Sequence, residues 1–207
     1  MKGKFITFEG CEGVGKSRQL KYLAEYLENS KTPHYFTREP GGDPISEKIR
    51  NLILDKDNAD MTDECEALLY AASRAQLLKR QIAPRLDAGE LVICDRYFDS
   101  SFAYQAYARG LGVEFISKIN EYAIKNFTPD YTIFLNLSPE DAFKRKGGVD
   151  ATDRVELCGM DFHNKVYEGY LALAKTYPER FIVIDASGEK WETRDKILSA
   201  LKEKGVL

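Results

Sequence analysis

The sequence predicts an α/β fold, a parallel β-sheet flanked by crossover helices. Three observations carry this. Short runs rich in β-branched and aromatic residues alternate with longer segments of helical periodicity, the alternation that a parallel sheet requires. The chain has 207 residues, 43% hydrophobic and 30% charged, with seven prolines, which suits one sizeable core and argues against a disordered or fibrous chain. Neither an internal repeat nor a linker is visible, so residues 1–207 are expected to form a single domain.

The expected strands are Lys4–Glu9, His34–Arg38, Leu91–Asp95, Tyr131–Asn136 and Phe181–Asp185. The first helix, about Lys16 to Asn29, repeats Leu20, Leu23, Ala24 and Leu27 at i, i+3, i+4 and i+7, a single buried stripe. A longer helix around Glu64–Ala88 sets Leu68, Ala71, Ala75, Leu78 and Ile82 on one face and Tyr70, Arg74 and Leu77 on another, with Pro84 expected to kink its last turn. Further helices are expected near Asp99–Ala108, Val113–Asn126, Pro139–Lys146, Asp161–Tyr177 and Glu192–Lys204. Between two of them the stretch from Arg145 to Arg154 is polar, basic and glycine-containing, as a mobile flap would be; the lid it forms is expected to span about 145–156.

Charge and composition remove several classes of function. Thirty Lys+Arg against 33 Asp+Glu leave a net charge of −3 with no basic pole, so neither nucleic acid nor an anionic membrane is expected as a partner. The N-terminal apolar run is too short for a secretory signal, and no stretch approaches the ~18 apolar residues that span a bilayer. Cys11, Cys65, Cys94 and Cys158 lie far apart, without the close pairs of metal sites, so reduced thiols in a cytoplasmic protein are expected.

The strongest local signal is Gly10-Cys11-Glu12-Gly13-Val14-Gly15-Lys16-Ser17, which fits G-x-x-x-x-G-K-[ST] after a strand and before a helix. Glycines let successive backbone N–H groups turn inward around a polyphosphate, and the helix N-terminus adds its positive end. Lys16 would reach the β and γ phosphates, and Ser17 would offer its hydroxyl to Mg²⁺. A second signal is the apolar run Leu91-Val92-Ile93-Cys94 ending in Asp95-Arg96-Tyr97, which puts charge at the carboxyl edge of the sheet, where ligands bind in open α/β folds. Asp95 can orient Mg²⁺ or its water; Arg96 can grip a phosphate through its planar fork.

A phosphate-loop protein can hydrolyse its nucleotide, switch with it, or pass the phosphoryl to an acceptor. The N/T-K-x-D guanine signature is absent from the sequence, whereas candidates for an acceptor site are plentiful. Thr37-Arg38-Glu39-Pro40-Gly41-Gly42 follows the second strand to the same sheet edge. Tyr70 and Arg74, four apart, share a helix face and pair an aromatic ring with a guanidinium, a way to stack on and hydrogen-bond a nucleobase. Ser100, Ser101, Tyr104 and Gln105 follow the Asp-Arg strand.

In their order these motifs, from Phe8-Glu9-Gly10 through Ala71-Ala72-Ser73-Arg74 and Asp95-Arg96-Tyr97 to Asp153-Arg154-Val155-Glu156, resemble the signature of thymidylate kinases, across essentially the whole chain. The resemblance implies a P-loop nucleoside-monophosphate-kinase fold with a five-stranded parallel sheet and a small lid, transfer of the γ-phosphoryl of ATP to dTMP with Mg²⁺, and a homodimer. By matched position it implies Tyr70 against thymine, Arg74 on a base carbonyl, Ser101 and Gln105 around the base, and Tyr104 crowding the sugar against a 2′-hydroxyl. It also implies Glu12 near the nucleotide 3′-hydroxyl, Glu39 and Arg96 along the acceptor phosphate, and Pro40 and Arg50 in the substrate region. Asp43 and Ser101 depart from the residues common in the family. Some members carry an arginine in the phosphate loop; this chain has Gly13, which implies that Arg145, Lys146 or Arg154 of the lid meets the transferred phosphoryl.

The competing expectations are a deoxynucleoside kinase on the same loop, which needs a base beside a 5′-hydroxyl, and a nucleotide-dependent switch, which has no use for acceptor-site charges. A nucleic-acid binder would need the basic face that this sequence lacks.

Overall fold

The computed structural model describes residues 2–146 and 154–207, without the side chain of Lys146. Five strands, β1 (Phe5–Glu9), β2 (His34–Arg38), β3 (Leu91–Asp95), β4 (Tyr131–Asn136) and β5 (Phe181–Asp185), form one all-parallel sheet in the order β2-β3-β1-β4-β5. Thus β1 lies between β3 and β4, and the chain leaving it enters the crevice where strand order reverses. Every residue of β1 is buried, as are Leu91 through Cys94 of β3, so these strands are covered on both faces. Phe8 and Arg38 both pair with Asp95, which aligns the carboxyl ends of the three strands that carry the polar motifs.

Helix α1 (Lys16–Asn29) buries Leu23 and Leu27, as its stripe requires, and packs on the C-terminal helix α10 (Lys190–Glu203). Helix α2 (Pro44–Leu54) has no counterpart among the sequence-based expectations, although its start is marked: Pro44 is its first residue, and the Asp43 side chain accepts from the Ile45 N–H at 3.1 Å. That N-cap gives the unusual Asp43 a structural role; Gln76 and Gln81 donate to the same carboxylate.

The expected long helix is α3 (Asp63–Leu77), a π-helical turn over Leu78–Ile82, and α4 (Ala83–Asp87). The widened turn directly precedes Pro84, whose ring cannot pack against the carbonyl four residues back in a regular helix. Both faces contribute to the core, with Leu78 and Ile82 of the first and Leu77 of the second fully buried. Leu68 is 51% exposed and Ala75 is exposed, whereas Glu66, Ala67, Ser73, Arg74 and Leu77 are buried. Glu66 and Arg74 go inside because charged partners meet them there.

Helix α5 (Phe98–Ser101) continues as a π-helical segment over Phe102–Ala108. The expected helix 113–126 is two, α6 (Val113–Ile119) and α7 (Glu121–Asn126), divided at the buried Asn120. Helix α8 (Pro139–Lys146) ends where description stops, and α9 (Met160–Thr176) buries Val166, Tyr170 and Leu173 against the Phe102–Ala108 segment. The flap expected at 145–154 falls largely on residues 147–153, outside the described residues.

Candidate active site

A cleft of about 430 Å³ opens at the carboxyl ends of β1, β2 and β3, within the size range of small-molecule sites. Its lining includes Glu12, Gly13, Gly15, Lys16 and Ser17 from the loop after β1, and Glu39, Pro40 and Arg50 after β2. Tyr70 and Arg74 come from α3, and Asp95, Arg96, Ser101, Tyr104 and Gln105 from β3 onwards. Residues far apart in sequence, from Glu12 to Glu156, thus face one space.

The phosphate loop has the backbone its spacing implies. Gly10, Gly13 and Gly15 have φ of 144°, 77° and 96°, a region that side chains resist. Gly15 also precedes α1 with no side-chain cap, leaving the first N–H groups of the helix free for an anion. At Gly13 a Cβ would stand 2.9 Å from the Ala142 carbonyl oxygen of α8, so the loop and α8 interlock at the position where other chains hold arginine. Lys16 Nζ donates to the Gly10 and Cys11 carbonyls at 3.3 and 3.5 Å, weak contacts that a phosphate could replace. Burial, and then Arg96, lowers the Lys16 pKa, while Glu12, Asp95 and Glu9 oppose the shift.

Arg96 adopts φ 66°, an uncommon conformation for a side-chain-bearing residue, with its N–H bound to the Phe8 carbonyl at 2.9 Å. Its guanidinium donates to Glu12 at 2.5 Å, the Gly10 carbonyl at 3.0 Å, Ser100 at 3.3 Å and the Tyr170 hydroxyl at 3.2 Å. Beneath it lies Glu9, fully buried, whose carboxylate accepts from the Tyr97 N–H at 2.7 Å, Ser100 at 2.6 Å and Tyr170 at 2.8 Å. Burial, and secondarily Asp99, pushes Glu9 up to about 7 against Arg96 and these hydroxyl donors. Ser100 and Tyr170 donate to Glu9, so their lone pairs are turned toward Arg96. Tyr170 is buried in α9 with Val166 and Leu173, and only the fold reveals its hydroxyl as part of the site.

Arg74 is 2% exposed and held on three sides, donating to Glu39 at 2.7 Å, Ser101 at 3.1 Å and Asn120 at 2.5 Å. The Asn120 amide donates in turn to Ile116 O at 2.9 Å, which fixes its oxygen toward Arg74. No spacing in the sequence links Asn120 to position 74. Burial pushes Glu39 up to about 7, opposed by Arg74. Tyr104 donates to Glu12 at 3.4 Å, and Arg96 lies 5.1 Å from its ring centroid. Gln105 donates to Glu66 at 2.9 Å, and Arg50 to the Pro40 carbonyl at 2.9 Å.

The lid cations fare differently. Arg145 donates to Ala186 O at 2.6 Å and to the carbonyls of Ser187 and Gly188, beside a separate hollow after β5. Arg154 pairs with buried Glu66 and donates to Ile53 O at 3.1 Å; Val155 and Glu156, not Arg154, reach the cleft. The structure therefore brings neither arginine to the phosphate loop, because carbonyls and a buried carboxylate already hold both. The Lys146 side chain lies outside the described residues.

Among the described residues no three His, Cys, Asp or Glu side chains form a metal cage. A hard cation carried in by phosphates needs none, since it keeps most of its water and takes one or two protein oxygens. The Ser17 hydroxyl and Asp95, whose buried Oδ1 has no hydrogen-bond partner among the described residues, fit that requirement.

The family model described as Thymidylate kinase matches residues 8–197, a span that includes the phosphate loop, Arg74, Arg96 and α9. The chain belongs to the thymidylate kinase family. A protein named Thymidylate kinase from Thermoanaerobacter sp. (strain X514) is 46% identical over 203 residues, covering 98% of this chain and 99% of its own length. One from Symbiobacterium thermophilum is 47% identical, covering 96% and 92%, and one from Bacillus velezensis is 47% identical, covering 92% and 91%. In this thymidylate kinase family member the five-stranded parallel sheet agrees with the P-loop kinase fold that the sequence motifs implied.

Proposed function

We propose that this chain transfers the γ-phosphoryl of ATP to dTMP, giving dTDP and ADP, a step toward dTTP. The observation that carries it is the single cleft with a phosphate loop at one end and the Tyr70, Arg74 and Ser101 group at the other, Arg96 lying between.

No covalent enzyme intermediate is needed. A phosphate oxygen of dTMP attacks the γ-phosphorus of ATP as the bond to the β-bridging oxygen breaks, so positioning and charge neutralisation perform the catalysis. Lys16 leaves the Gly10 and Cys11 carbonyls to neutralise the β and γ phosphates. Arg96, aimed by Glu12, Ser100 and Tyr170, holds the acceptor phosphate against repulsion from the donor. Arg74, held by Glu39 and Asn120, keeps a donor for a thymine carbonyl, Tyr70 lies against the base, and the Tyr104 ring takes the space that a 2′-hydroxyl would need. Mg²⁺, held by Ser17 and Asp95, would spread charge over the phosphates when bound. Arg154, through Glu66, anchors the C-terminal root of the lid.

A homodimer is supported by the outward face of α2 and α3. Ile45 and Leu52, seven apart on α2, are 52% and 48% exposed, and Leu68, Ala72 and Ala75 share an exposed face of α3. No helix among the described residues is long and apolar enough to cross a membrane. The four unpaired cysteines suit a reducing, cytoplasmic setting.

The test is ADP release with ATP, Mg²⁺ and a panel of monophosphates. dTMP should be turned over fastest; faster use of dUMP, CMP, GMP or AMP would overturn the assignment.

A further inference from the structure

The cleft holds a cation that the motifs do not account for. Arg18 lines it beside Lys16 and Ser17, is exposed, and among the described residues its side chain has no hydrogen-bond or ion-pair partner. The other cleft cations are engaged: Arg38 with Glu47 at 2.9 Å, Arg50 with Pro40 O, Arg74 with Glu39, Arg96 with Glu12, and Lys16 with two loop carbonyls. Arg18 is the third residue of α1, and its N–H bonds to the Gly15 carbonyl at 3.1 Å, which places its backbone against the loop. Each Cα–Cβ bond in a helix tilts toward the N-terminus, so this long side chain leans back toward the phosphate loop rather than along the helix.

We propose that Arg18 is a donor-phosphate ligand, contacting the α and β phosphates of ATP that remain in ADP. Lys16 serves the β–γ end, and the backbone of the loop cradles the α–β end, where the side chain next after Ser17 has room to act. The Arg18 contact is made equally in the ground and transition states, so it sets affinity for nucleotide more than turnover.

The inference rests on the phosphate-loop assignment, and the experiment separates the two. Michaelis constants for ATP and dTMP, and the inhibition constant of ADP, are measured for the parent, Arg18→Ala, Arg18→Lys and Lys16→Ala. With Arg18→Ala the ATP and ADP constants should each rise about 10-fold, the lower end expected for a partly exposed charge-assisted contact, while the dTMP constant and kcat stay within about two-fold. Arg18→Lys should recover most of the loss. Unchanged ATP and ADP constants, a loss confined to dTMP, or a fall in kcat with ADP affinity intact would each overturn the proposal. If Lys16→Ala also retained full activity, the phosphate-loop assignment itself would fall. Because Arg18 is exposed, its replacement leaves the core untouched.

Discussion

Arg74→Ala tests the acceptor end of the cleft and its electrostatics together. In the parent, Arg74 is the cation beside Glu39, and burial has already moved that carboxyl from 4.5 to about 7. A carboxyl raised in the folded state favours folding at low pH, and the benefit is lost as pH rises through about 7; here that loss amounts to roughly 3 kcal/mol. Removing Arg74 raises the Glu39 pKa further. At pH 6 both proteins fold with Glu39 largely protonated, so the variant loses little beyond its bonds to Ser101 and Asn120. At pH 8.5 the parent holds a paired carboxylate and the variant cannot, so the gap should widen toward the ~3–5 kcal/mol of a broken buried pair. For a chain of this size that is about 6–20 °C in Tm. The assay is thermal unfolding of both proteins from pH 6 to 8.5, with Michaelis constants at pH 7. The dTMP constant should rise about 10- to 150-fold, the worth of one charge-assisted hydrogen bond, with the ATP constant little changed. A Tm difference that is flat with pH would refute the electrostatic argument, and a rise confined to the ATP constant would place Arg74 at the wrong end of the cleft.

Other substitutions probe the remaining contacts. Lys16→Ala should leave Tm close to the parent yet lower kcat by orders of magnitude, since Lys16 meets only loop carbonyls in the free protein; undiminished turnover would count against the loop. Tyr170→Phe should raise the dTMP constant about 3- to 10-fold through misplacement of Arg96, and should add nothing in an Arg96→Ala background; additive losses would mean the Tyr170 hydroxyl acts independently of Arg96. Gly13→Ala forces a Cβ to 2.9 Å from the Ala142 carbonyl at φ 77°, so a loss of roughly 1–3 kcal/mol in chemical unfolding is expected, and an unchanged midpoint would show that α8 yields freely.

Much of this protein is written locally. The alternation of apolar runs and helical stripes located all five strands, because short β-rich runs between helical segments mark strands whether they lie at the centre of the sheet, as β1 and β3 do, or at its edges, as β2 and β5 do. The phosphate loop was equally legible, since its φ angles and its junction with α1 follow from glycines within eight consecutive positions. Helix α2 was not among the expected elements, although Asp43-Pro44 marks its start, because a cap is a weaker signal than periodicity.

Tertiary structure decided which side chains meet. Apolar spacing alone named two faces of α3 without choosing between them, and the helix turned Glu66 and Arg74 inward, because Arg109, Arg154 and Gln105 on one side and Glu39 and Asn120 on the other satisfy charges that would otherwise be too costly to bury. Tyr170 reaches Glu9 across 161 residues, and Asn120 reaches Arg74 across 46. Nothing local marks such pairs, since their energy exists only once packing has excluded water. The same holds for the lid arginines, which the family resemblance implied near the transferred phosphoryl but which carbonyls after β5 and the buried Glu66 hold elsewhere. Sequence determined the elements and the loop because those depend on neighbours along the chain. The fold decided orientation, pairing and charge, because those depend on what each side chain meets when the elements close together.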